Sequence, residues 1–196
     1  MPSRERSRAA GENQLALGGQ DVSLPPGLDE GKVQAKLASA SEKLRTAVEL
    51  PDAAWVGSTY EWVRQLPPTK RSRVGVELVG VWAETVGVPL GPKWSGGVML
   101  ASLRTVVKTS TRWSDGNYVY QLPLPDRAQQ VVLLGVSPNK LDLWVVPPEV
   151  LHAHSETVGG AKQWVTLDAT NPPAWINIYG GGLLTPAEML AQNQDV

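Results

Sequence analysis

The chain has 196 residues, 42% hydrophobic and 19% charged, with a formal net charge of −1. That length and composition suit one domain with a full core, and no run approaches the roughly 18 apolar residues of a membrane helix. Cysteine is absent and histidine occurs twice, which excludes disulfides, thiolate metal sites and a cysteine nucleophile and argues against a multi-histidine zinc site.

Residues 1–28 carry Gly, Pro, Ser, Arg and Gln without a hydrophobic period and read as a flexible arm. Its arginines Arg4, Arg6 and Arg8 could touch phosphate, but a tail with no role is the simpler reading. No apolar segment follows this basic start as in a secretory signal, so the expected location is the cytoplasm. From Asp29 onward the chain reads as a single α/β domain over 29–196. Val33, Leu37, Ala40, Leu44, Ala47 and Val48 recur at spacings of three and four, the stripe of an amphipathic helix that ends at Pro51 and Asp52. Ser58-Thr59-Tyr60-Glu61 reads as a capping box opening a short helix to Leu66, which Pro67-Pro68 stops.

The strongest helix pattern runs from Thr69 to Gly87. Val74, Leu78, Val81, Trp82 and Val86 share a face, and Gly87 is a natural stop. Its first turn is basic, which opposes the helix dipole, so Lys70, Arg71 and Arg73 are candidates for binding. Glu77 reads most simply as a surface carboxylate paired with Arg73 one turn earlier. Val88 to Ser102 is rich in Gly and Pro and reads as a loop, with at most a short edge strand over 98–101.

The stretch around which the other segments must pack begins at Arg104. It reads Arg-Thr-Val-Val-Lys-Thr-Ser-Thr-Arg-Trp, a β-branched run with Lys108 in its middle. Ser114-Asp115-Gly116-Asn117 is turn chemistry, and Tyr118-Val119-Tyr120-Gln121 resumes the strand pattern. Gln130–Val136, the turn Ser137-Pro138-Asn139-Lys140 and Leu141–Val146 follow as a short meander. Pro147-Pro148 starts a helix. His152 and His154 read as surface residues, because no other ligand cluster is near in sequence. Gln163–Leu167 is a further strand, Asn171-Pro172-Pro173 a loop, Gly180-Gly181-Gly182 a turn, and Thr185 caps a terminal helix.

Charge is unevenly spread. Residues 64–112 hold eight Lys and Arg against Glu77 and Glu84, whereas from 113 onward three bases face eight acids. A segment this basic makes a face that attracts polyanions by counterion release, or else a solvated helix surface. The glycine-rich nucleotide cradles, the GxSxG elbow and HExxH are all absent.

The order of these elements resembles the PD-(D/E)xK nuclease superfamily, restriction-endonuclease-like proteins in particular. A helix with an internal Glu is followed by a loop and a strand ending Val107-Lys108-Thr109-Ser110-Thr111. Gln121 then lies downstream, ahead of the Leu-Gly-Val-Ser-Pro…Leu-Trp-Val-Val-Pro hairpin. The resemblance spans about 69–151, with a helical part over 29–68 before it and a C-terminal extension over 152–196 after it. It implies a mixed central sheet flanked by helices and a Mg²⁺-dependent hydrolysis of DNA. In that setting Lys108, Gln121 and Glu77 are the catalytic candidates and Glu77 is the metal ligand. Arg64, Lys70, Arg71, Arg73, Arg112 and Trp113 are the DNA contacts. Two-fold duplex sites imply a homodimer on double-stranded DNA.

Two positions depart from the family pattern. The acid expected two residues before the lysine is Val106, and the loop from Val88 to Arg104 has no carboxylate. Mg²⁺ prefers carboxylate oxygen, so the site is incomplete and hydrolysis is lost or reduced unless another element supplies an acid. The alternative is an inactive nuclease-fold module that binds DNA or protein. A third reading makes Lys108 a strand lysine whose ammonium snorkels to water in an unrelated α/β protein.

Overall fold

A computed structural model describes residues 29–44, 53–94, 97–122, 124–158 and 162–192. The expected arm 1–28, Ala47, Val48, the stop at Pro51 and Asp52, and Gly96 lie outside the described residues. The stripe after Asp29 forms helix α1, Glu30–Leu44, which buries Val33 and Leu37. Asp29 caps it, its Oδ1 accepting the Lys32 N–H at 2.8 Å. Helix α2 is a single turn, Glu61–Arg64, and the expected capping box does not form. Glu61 reaches back past Ser58 and accepts the Gly57 N–H at 2.8 Å, while the Thr59 N–H goes to Asn139 Oδ1.

Helix α3, Pro68–Val86, ends as its sequence requires, with Gly87 at φ 80° in the left-handed region. Its buried face is wider than the apolar stripe alone: Gly75, Leu78, Val79, Trp82, Ala83 and Val86 all point inward. Gly75 is there because α3 lies tight against a strand, and a Cβ at this position would collide with Thr109.

The Gly- and Pro-rich stretch carries the short strand expected near 98–101 and pairs it, in a hairpin, with a second strand where a loop was expected. Strands β1, Leu90–Trp94, and β2, Gly97–Leu100, pair antiparallel. Pro92 is tolerated because β1 is the edge of the sheet. Ala101 and Ser102, at φ 48° and 65°, then make the two-residue turn into β3, Leu103–Thr111. Both residues of such a turn need positive φ to match the strand twist.

Residues 130–136 and 141–146 pair antiparallel, as in the expected meander, but 117–121 does not join the lysine strand to them. Strands β4, Asn117–Gln121, β5, Gln130–Val136, and β6, Leu141–Val146, all form as strands, but β4 leaves the sheet. The main sheet has the order β1-β2-β3-β5-β6, and β3 runs parallel to β5 with Lys108 beside Leu133. Strand β4 joins a second, antiparallel sheet of order β4-β8-β7, built with β7, Glu156–Val158, and β8, Lys162–Asp168. Residues 156–158 and 162–168, within the expected C-terminal extension, supply two of the three strands of that sheet.

The result is a five-stranded mixed sheet with helices on one face and a second sheet on the other. On the helix face, Val107, Val132, Leu134, Leu141 and Leu143 meet α1, α2 and α3, together with Leu183, Ala187 and Leu190. The last two lie on helix α6, Thr185–Gln192, after Leu183. On the other face, Val131, Leu133, Trp144 and Val146 meet Tyr118, Tyr120, Val165 and Leu167 of the second sheet. Leu151 of helix α4, Pro148–Ala153, and Ile176 of the short turn α5, Ala174–Asn177, close that layer. Strands β5 and β6 are buried on both faces, as expected of a sheet covered on both sides.

Candidate functional site

Alternation along β3 decides where its polar residues go. Val107 and Thr109 face α3. Lys108 and Ser110 therefore face the second sheet, beside Leu133 and Gly135 of β5. Ser110 Oγ accepts the Val119 N–H at 2.9 Å, which fixes β4 across β3 at this point. Lys108 is half-buried in that layer, and burial pushes its amine below the ordinary lysine range.

The structure does not gather Lys108, Glu77 and Gln121. Glu77 is on α3, on the opposite side of the main sheet from Lys108. It pairs with Lys93 of β1 at 2.8 Å rather than with Arg73, and borders a groove shared with Lys36 and Glu84. The close fit of Gly75 on Thr109 ties α3 to the odd-numbered positions of β3, so nothing on that helix reaches the even ones. Gln121 is exposed on the outer face of the second sheet, because Tyr118 and Tyr120 take the inner positions of β4. Val106, where the resemblance calls for an acid, is 4% exposed. Val106 and a Glu77 committed to the other face do not fit a Mg²⁺ site at Lys108.

A different set of predicted residues does come together. Arg64 at the end of α2 donates from Nη1 to the Arg112 carbonyl at 2.6 Å, just past the end of β3. Its guanidinium lies over the Trp55 ring, 5.4 Å from the centroid. Arg71, in the first turn of α3, donates from Nη2 to the carbonyls of Arg64 and Leu66 at 2.8 and 3.1 Å. Burial, and then the charge of Arg64, push the Arg71 guanidinium below its ordinary value. Its Nε–H is buried without a hydrogen-bond partner. Lys70 and Arg73 are exposed on the same first turns of α3, and Trp113 is 56% exposed next to Arg112. The helix start has no acidic side chain and no side-chain cap, so its dipole adds to the cations.

No protein-family model matches the chain, and no curated protein and no solved structure matches it. Among the described residues, no helix is long and apolar enough to cross a membrane.

One buried polar group had not been singled out. Tyr118 Oη lies 2.6 Å from Ser137 Oγ and donates to Asp142 Oδ2 at 3.0 Å. Asp142 is 2% exposed, and Lys140 reaches its other oxygen at 2.6 Å. Burial raises the Asp142 carboxyl above the ordinary range, against the opposing pull of Lys140 and Tyr118. Ser110, Gly135 and Asp142 stand side by side across β3, β5 and β6. Gly135 leaves room for the Tyr118 ring to lie over them. The signal in the sequence was an acid inside the apolar run Leu-Asp-Leu-Trp-Val-Val.

Proposed function

We propose that this chain is a DNA-binding protein, akin to the nuclease-like α/β proteins its lysine strand resembles, that grips phosphate and does not hydrolyse it. One observation supports the reading above the rest. The guanidiniums of Arg64 and Arg71 are held near each other by backbone carbonyls, with a buried Nε–H of Arg71 lacking a partner. Guanidinium donors match phosphate oxygens in pairs, and the Arg71 Nε–H is such a donor left without a partner. Lys70, Arg73 and Arg112 extend the charge on either side. Duplex sites are read by two-fold pairs, so a homodimer belongs to the proposal, and sedimentation equilibrium checks it.

Binding of a labelled duplex by fluorescence anisotropy, repeated over a range of salt, tests the reading. Affinity should fall steeply with salt. The double variant Lys70→Glu/Arg73→Glu, which touches only exposed side chains, should bind more weakly, with a salt slope shallower by about one for each phosphate contact removed. Plasmid incubated with Mg²⁺ or Mn²⁺ should stay intact for wild type, Glu77→Gln and Lys108→Ala alike. Salt-independent or undetectable binding refutes the phosphate grip. Metal-dependent nicking that disappears in Lys108→Ala refutes the non-hydrolytic half and returns the nuclease reading.

A further inference from the structure

We infer that the arginine cluster is one half of a site for single-stranded DNA, in which an unpaired base stacks on Trp113 while its phosphate sits on the arginines. The inference rests on the phosphate grip proposed above and puts a single strand in place of the duplex as the preferred nucleic acid. Among the described residues, Val56, Leu90, Trp113 and Ile178 are the large hydrophobic side chains left strongly exposed, and Trp113 is the only aromatic of the four. An exposed indole is an uncommon thing to leave in water unless it meets a partner, and every base offers it a flat face.

Its position is fixed at both ends. The Trp113 N–H donates to the Asn117 carbonyl at 2.9 Å, and the Trp113 carbonyl accepts from Gly116 at 3.0 Å. Asn117 N–H is held in turn by Asp115 Oδ1. Gly116, at φ 90°, allows the tight reversal. The indole is thus presented on a braced turn, and little backbone entropy is lost when it is covered.

Its neighbours are the phosphate donors. The carbonyl that holds Arg64 belongs to Arg112, one residue before Trp113. Trp113 is thus one peptide from the acceptor that anchors the Arg64 guanidinium at 2.6 Å, just past the end of β3. An indole and a guanidinium anchored on adjacent residues can serve a base and its own phosphate. In a duplex the bases are already stacked on one another and turned inward, so this pair would meet only backbone. Asp115, exposed in the same turn, and Asp168, paired with Asn117 across β4 and β8, keep phosphate to the arginine side of the turn.

The test compares an oligothymidine of about 12 nucleotides, within the span one such site covers, with a blunt duplex of equal length. Wild type, Trp113→Ala and Trp113→Phe are each titrated by anisotropy, with a thermal melt to show that the fold is unchanged. Wild type should prefer the single strand. Trp113→Ala should lose about five- to hundredfold in affinity for it, with duplex affinity and salt slope unchanged, and Trp113→Phe should recover most of the loss. If wild type binds both DNAs with salt-dependent affinity and Trp113→Ala binds them as wild type does, the stacking inference is overturned and the phosphate reading stands. If wild type binds neither, both fall.

Discussion

Tyr118→Phe removes one oxygen atom and tests how the two sheets are joined. The hydroxyl is buried, makes no contact with solvent, and bonds both Ser137 Oγ and Asp142 Oδ2. Phe fills the same space, so no cavity is left and the cost is polar. A buried carboxylate that loses one hydrogen bond is worth about 1.5–3 kcal/mol, and the Ser137 hydroxyl can turn to another acceptor. Lys140 still neutralises the other oxygen, which keeps the loss under the ~3–5 kcal/mol of a broken buried ion pair. We therefore expect about 2 kcal/mol at neutral pH.

The pH dependence carries the stronger test. Burial raises the Asp142 carboxyl above its unfolded value, so over the window between the two the native state binds more protons. Stability is then greatest below the unfolded value and falls as pH rises through the native one. The Tyr118 hydroxyl favours the ionised form and limits that fall. Without it the native carboxyl titrates still higher, and the variant loses more than wild type as pH rises. In acid, with Asp142 protonated, a neutral hydrogen bond worth about 0.5–1.5 kcal/mol is all that is lost. Urea denaturation of both proteins at mildly acid and mildly alkaline pH, followed by tryptophan fluorescence, measures this directly. A difference under about 0.5 kcal/mol at neutral pH, or one that grows on acidification, would refute the argument.

Two more predictions concern the strand that carries Lys108. Gly75→Ala drives a methyl into Thr109 and should destabilise by about 1–3 kcal/mol. Thr109→Ala in the same chain should recover part of that loss, and a double-mutant cycle from denaturant melts that shows simple additivity would contradict the contact. Burial holds the Lys108 amine below its unfolded value. The native state therefore sheds this proton first, and stability rises with pH over that interval. Wild type should gain on Lys108→Met as pH moves from neutral to alkaline, and melting temperatures that stay level between the two would sink the assignment of this lysine to the layer between the sheets.

Local rules reached the elements that are governed by neighbours in sequence. The spacing of Leu78, Trp82 and Val86 and the glycine after them defined α3, and the β-branched run around Lys108 defined β3. The arginines Arg64, Arg71 and Arg112 stood out by charge alone. Which of them meet was a different matter, because Arg64 and Arg112 are 48 residues apart and joined by one hydrogen bond. The β1 strand went unread because Pro and Gly usually break strands, and only an edge position excuses them.

The chain by itself determined a mixed α/β protein with a lysine in a buried strand and a basic middle segment. Tertiary structure alone decided which way that lysine faces, since one face or the other follows from how α3 seats on Thr109. It also decided that β5 lies parallel to β3 and that β7 and β8 pair with β4 in a second sheet. Period and propensity describe one segment at a time. The partner a strand chooses depends on the area buried by the whole assembly, and that quantity does not exist until the chain has folded.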